Sequence, residues 1–189
     1  MGKILENLHL TLGLGLVLAI LVMMGFQADS VTAPVIFRWL HVFFGITWIG
    51  LLYYFNFVQI PTMPSVPAEL KPGVSKYIAP KALFFFRWGA AFTVLTGAIL
   101  AWLNGYIHEA FSFQEGFRVI GTGMWLALIM AANVWFVIWP NQKRALGIVE
   151  ADDASKAKSA RVAMLASRTN TLLSIPMLWA MASYQSLPA

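Results

Sequence analysis

Arg38, His41, Gly45, Trp48, Leu52 and Asn56 recur every three or four residues inside the apolar run 35–60, so they share one face of a helix. An imidazole on such a face can serve as an axial ligand to a b-type haem, or move a proton at a quinol-like site. It can equally hydrogen-bond to a neighbouring helix, and the residues alone leave these roles open. Arg38 lies near one boundary of the run, where its guanidinium can snorkel to headgroups or turn inward. Placing a cation in hydrocarbon costs on the order of 2.5–3.5 kcal/mol on insertion scales, so an ionisable group there marks a partner, a cavity or a cofactor. Gly45 makes room near the middle of the face. Trp48 and, on a later apolar run, Asn133 complete the candidate cofactor-binding set; an amide in hydrocarbon needs hydrogen-bond partners. No residue type or spacing identifies a catalytic group.

The chain has no cysteine and three histidines. That excludes Cys-ligated zinc, iron–sulfur clusters and covalent attachment of a c-type haem, leaving any haem to be held through His41 and packing. A second axial histidine is hard to supply. His9 starts an earlier apolar run at the opposite boundary from His41, and His108 falls in a connection that reads as solvent-exposed. Metal binding is therefore expected only through haem, with a five-coordinate iron or a methionine as sixth ligand left open.

Positioning these groups requires long helices in a non-aqueous solvent. Of 189 residues 59% are hydrophobic and 11% charged, against about 25% charged in a soluble domain. The reading is an all-α integral membrane protein, a single domain over 1–189 with about five transmembrane helices near 8–26, 34–60, 82–103, 119–139 and 168–187. Each is long enough for about 30 Å of hydrocarbon at 1.5 Å per residue. On this register His41 lies roughly 9–10 Å below the outer end of its helix. The first run is expected to be retained as a helix, because Glu6 and Phe26 fit a cleaved leader poorly.

Charge sets the orientation. Lys71, Lys76 and Lys81 occupy one connection, and Lys143, Arg144, Lys156, Lys158 and Arg161 another; Asp29, Glu109 and Glu115 mark the alternate ones. Cations gather on the cytoplasmic side, which puts the N-terminus inside and the C-terminus outside a bacterial inner membrane, multi-pass. The net charge of +5 is thus expected to face anionic headgroups, with no nucleic acid as partner. Arg87, past Lys81, is expected to snorkel to the cytoplasmic interface.

Pro61, Pro64, Pro67, Pro72 and Pro80 predict a stiff, extended second connection. Residues 152–175 hold neither glycine nor proline, which predicts a cytoplasmic helix over about 152–167, capped by Asp152 or Asp153 and running into the fifth span, with a kink near Pro176. Gly89, Thr93 and Gly97, then Gly123, Ala127 and Ala131, then Ala163, Ser167, Asn170 and Ser174 form small-residue stripes expected at helix–helix seams.

Three stretches, FRWLHVFFGITWIGLLYYFNFVQ, NVWFVIWPNQKRALGIV and LASRTNTLLSIPMLWAMA, resemble the N-terminal membrane domain of the bacterial membrane-bound, cytochrome-c-linked urate oxidases (urate hydroxylases). KYIAPKALFFFRWGAAFTVLTGAILAW is similar to the same domain. The Arg-Trp-Leu-His opening followed by Trp-Ile-Gly is shared more loosely with copper-resistance membrane proteins and haem-linked protoporphyrinogen oxidases. The resemblance implies an inner-membrane module on a route of electrons from a purine toward a c-type cytochrome. Arg38, His41, Trp48, Asn56, Asn133, Trp135, Asn141 and Arg168 carry over as parts of matching motifs. The family's enzyme ends in a cytochrome c domain, and a chain without cysteine has none, so a stand-alone short form is expected, either partnered by a separate cytochrome c or other membrane subunits or serving another role.

Two functions follow as expectations. One is a membrane redox module binding a b-type haem or a quinol and passing electrons to a cytochrome partner. The other is a non-catalytic structural or accessory subunit of a larger membrane complex, docking onto other membrane subunits through its small-residue stripes.

Overall fold

The computed structural model describes residues 2–184, apart from the side chains of Gln27 and Asp29. The described residues form helices joined by short turns, with no strand among them. Helix α1 is Leu8–Gln27. Helix α2, Ala33–Tyr53, continues through a wide turn, a regular turn and a final tight turn to Ser65. Helix α3 is Ala79–Leu103, led in from Lys71; α4 is the short Ile107–Phe111. Helix α5, Arg118–Asn133, extends to Ala145, and α6 is Asp153–Ser183. The chain divides into two units, 1–36 and 37–189.

In the first unit, the Asn7 side chain caps α1 by accepting the His9 and Leu10 backbone N–H groups at 3.0 and 3.3 Å. Leucine, valine and isoleucine cover α1 on every side, and none of the described α1 side chains is buried. A helix apolar all round suits a core or a bilayer rather than water.

Among the described residues of the second unit three wide π turns, Tyr54–Gln59, Val74–Ile78 and Val134–Ile138, each end two residues before a proline. Their closing bonds run from the N–H of Ile60 to Phe55, of Ala79 to Val74 and of Trp139 to Val134, and the next residues are Pro61, Pro80 and Pro140. A proline lacks an N–H and its ring crowds the carbonyl four residues back. Widening the preceding turn by one residue carries that carbonyl aside, and the helix continues. The connection expected to be extended over 61–81 is therefore mostly helical, with only residues 66–70 outside helical turns.

Among the described residues four helical runs are long and apolar enough to cross a membrane: Leu8–Phe26, Ala33–Ser65, Lys71–Leu103 and Arg118–Ala145. The fifth expected crossing, 168–187, falls on α6, which does not join them; Arg168, Thr169, Asn170, Thr171 and Ser174 interrupt its apolar run. Its residues 185–187 lie outside the described residues. Asp152 caps α6, accepting the Ser155 N–H at 2.7 Å and the Ser155 hydroxyl at 2.9 Å, and these bonds hold its carboxyl below the usual range. Pro176 lies within the helix.

The core of this unit joins α2, α3, α5 and α6 through Trp48, Leu52, Phe86, Met130, Val134 and Met177. Close backbone approach makes it possible. A Cβ on Gly89 would lie 3.2 Å from the Trp48 nitrogen, and one on Gly123 3.2 Å from Ala180 Cβ. At Gly121 a Cβ would fall on the Ala110 carbonyl oxygen, so α4 can lie on α5 only with glycine there. The stripes on α3, α5 and α6 thus sit at helix contacts, as small residues do where backbones meet.

Candidate functional site

His41 is half-buried on α2, and its Nδ1–H donates to the backbone carbonyl of Thr93 on α3 at 2.9 Å. Gly97, one turn further along α3, provides the room: a Cβ there would lie 2.7 Å from His41 Cε1 and 2.8 Å from Nδ1. Thr93 and Thr96 turn their hydroxyls back on their own helix, donating to Gly89 and Phe92 at 2.6 Å each. Donation from Nδ1 fixes the tautomer and leaves the Nε2 lone pair unused by this bond. Phe44 of α2 and Phe92 of α3 stack across the same helix pair with centroids 5.0 Å apart. The arrangement offers one nitrogen that can coordinate or accept a proton, oriented by a backbone atom.

Arg38 is one turn back along the same face and exposed. Its charge acts on Tyr106, which follows the end of α3. Gly105, at φ +75°, turns the chain there: its N–H donates to Trp102 and that of Tyr106 to Ala101. Tyr106 thereby packs on Phe117 and Tyr184, each at 5.7 Å between centroids. Burial pushes its hydroxyl above the usual tyrosine range and Tyr184 adds to the rise, while Arg38 and Asn104 draw it back.

The other two candidates are elsewhere. Trp48 is fully buried in the core, its indole N–H without an acceptor among the described residues. Asn133 belongs to a polar seam between α5 and α6. Its Nδ2 donates to the Ala166 carbonyl at 2.9 Å and to Asn170 Oδ1 at 2.7 Å, while Asn170 Nδ2 donates to the Met130 carbonyl at 2.9 Å. On the same side of α6, Ser167 accepts from Asn56 Nδ2 at 2.8 Å, and Ser174 meets the Tyr53 hydroxyl at 3.0 Å. His41 and Arg38 share a face of α2 by spacing but meet different partners, Thr93 and Tyr106, and Asn133 lies in a separate seam. His108 is exposed on α4, and His9 lies in the first unit.

Sequence reasoning missed two partners. The acceptor for His41 is a main-chain atom, and the Gly97 that admits the ring read only as a seam residue. Arg87 stacks on the Trp139 ring, its guanidinium carbon 3.4 Å from the centroid, a partner that the expected snorkelling did not include. The six-residue interval from Lys81 to Arg87 gave no hint of that indole.

Two open grooves flank α6. One, of about 490 Å³, runs past Ile129, Asn133, Phe136, Thr169 and Leu173; the other, of about 380 Å³, passes Asn56, Phe57, Arg168, Thr171 and Ile175. Neither reaches His41. Residues 92–186 match the family model described as urate oxidase N-terminal, a stretch that holds Thr93, Gly97, Asn133 and Arg168 and begins beyond His41. No curated protein and no solved structure matches the chain.

Proposed function

The chain belongs to the urate oxidase N-terminal family, and on that premise we propose that it is a redox module of the bacterial inner membrane, binding a b-type haem or a quinol at His41 and passing electrons to a cytochrome partner. The observation that supports this most is the tie from His41 Nδ1–H to the Thr93 carbonyl across Gly97. Metal-bound histidines are commonly oriented this way, their second nitrogen bonded to a carbonyl or carboxylate, which raises the basicity of the ligating one. With Nδ1 taken by Thr93, Nε2 is the His41 atom that would hold the group. When bound, a haem would supply one-electron transfer; the protein's part would be to hold the imidazole tautomer, with Arg38 one turn away along α2. For a quinol, the same Nε2 accepts the hydroxyl proton.

In this reading the four apolar runs lie in lipid, with the N-terminus and the basic stretches 71–81 and 143–161 at the cytoplasmic face. A second reading, a non-catalytic subunit of a larger membrane complex, is favoured by the same His41–Thr93 bond taken as a helix staple. Absorption spectra of detergent-purified protein separate them. A Soret band in the wild type that disappears in folded His41→Ala supports haem at His41, and His41-dependent quenching by a quinone analogue supports the quinol. Colourless protein with no His41-dependent quinone binding, recovered in fixed ratio with other membrane subunits, overturns the redox reading.

A further inference from the structure

We infer that Arg87, Trp139 and Lys143 form a binding site for the headgroup phosphate of an anionic phospholipid, in the seam between α3 and α5. One indole carries two cations: Arg87 Cζ stands 3.4 Å from the Trp139 ring centroid and Lys143 Nζ 5.7 Å from it. Both charges therefore sit inside one Debye length, about 10 Å at 0.1 M salt, and repel each other. Neither has a carboxylate partner among the described residues, where the only ion pair joins Lys156 and Asp153. Arg87 Nε and Nη1 are in addition buried without an acceptor. Buried donors and adjacent like charges call for an anion, and the indole faces can share only part of that demand.

The surroundings select an anion that carries its own apolar tail. Phe84 and Trp88, ring neighbours on α3, expose 47% and 42% of their surface beside Arg87, and Trp88 meets Trp135 of α5 at 5.6 Å further along the seam. Acyl chains can lie on these rings while the phosphate bridges the guanidinium and the ammonium, as basic pockets between membrane helices do on the cytoplasmic side. The inference rests on the membrane reading above and is independent of what His41 binds.

Thermal unfolding of the full chain in a neutral detergent, with phosphatidylglycerol, phosphatidylcholine or inorganic phosphate added, tests it. Phosphatidylglycerol is expected to raise Tm where phosphatidylcholine does not, with Lys143→Gln weakening the apparent affinity about fivefold and Arg87→Gln at least as much. Lys143 is near the end of its helix, so Lys143→Gln keeps the test open if Arg87→Gln fails to fold. Lys158→Gln, on α6, should behave as wild type. Equal protection by both lipids, or an unchanged response in Lys143→Gln, overturns the site; protection by inorganic phosphate as strong as by phosphatidylglycerol overturns the lipid as its ligand. A protein that stays monodisperse without detergent instead fails the membrane reading, so the two failures are distinguishable.

Discussion

The imidazole of His41 occupies the space that a side chain at residue 97 would need, with a Cβ on Gly97 falling 2.7 Å from its Cε1. Two effects of Gly97→Ala oppose each other. Alanine favours helix over glycine by about 1 kcal/mol, whereas forcing a methyl into a filled space costs about 1–3 kcal/mol. The ring cannot yield without giving up its bond to Thr93, so the cost should win, and Gly97→Ala should lower Tm and weaken whatever binds at Nε2. Gly45→Ala is the contrast: its nearest neighbour would be Thr93 Cγ2 at 3.9 Å, an ordinary contact, and it should raise Tm. Thermal unfolding in detergent reads both signs.

The pair Asn133–Asn170 should behave as a unit. Asn170 is fully buried and exchanges bonds with both the Asn133 amide and the Met130 carbonyl. Asn170→Ala leaves Asn133 with one bond to Ala166 and the Met130 carbonyl without its side-chain donor, at about 1–3 kcal/mol. Asn133→Ala should cost less, because Asn170 keeps Met130. A double-mutant cycle should give a coupling of roughly 0.6–1.7 kcal/mol, between the average and the maximum found for hydrogen bonds between membrane helices. Strict additivity would show that the two amides do not meet.

Tyr106 sets an alkaline limit. Its folded pKa is raised from 10.0, first by burial. On unfolding, the phenol then releases its proton more readily than in the native state. The native state consequently gains stability that is fully present below pH 10, and the gain is lost as pH climbs through the folded value. Tyr106→Phe should flatten this decline relative to wild type. Arg38→Gln, by removing a charge that lowers the pKa, should move the phenolate absorbance midpoint upward. An identical alkaline decline in wild type and Tyr106→Phe would place the titrating group elsewhere.

The helices themselves were legible because long apolar runs leave few alternatives, and the small-residue stripes were legible because close helix approach tolerates few residue types. The ends of the helices were not. Pro61, Pro80 and Pro140 read as stops under the rule for a regular α-helix, and only the wide turn before each one lets the backbone continue. The face of α6 was legible as a seam: Ser167, Asn170 and Ser174 point into the bundle, though their partners Asn56, Asn133 and Tyr53 could not be read from spacing. At His41 the residue type could be read and its acceptor could not. Every residue carries a carbonyl, and which one a histidine meets is decided by how α2 crosses α3.

Orientation can be tested with single cysteines, since the chain has none. Ser112 is exposed just after α4, and Ala154 is exposed in the first turn of α6. Ser155, beside it, is less suitable because its N–H and hydroxyl both serve the Asp152 cap. If the basic stretches face the cytoplasm, Ser112→Cys in intact cells treated to permeabilise only the outer membrane should react with a membrane-impermeant maleimide. Ala154→Cys should react only after the inner membrane is opened. The reverse order would place Lys71, Lys76 and Lys143 outside, against the positive-inside bias, and would also move the Arg87–Trp139–Lys143 seam to the opposite leaflet. Equal labelling of both sites in intact cells would mean that α5 does not cross. The labelling pattern therefore ties the charge asymmetry of the connections to the leaflet that meets the paired cations on Trp139.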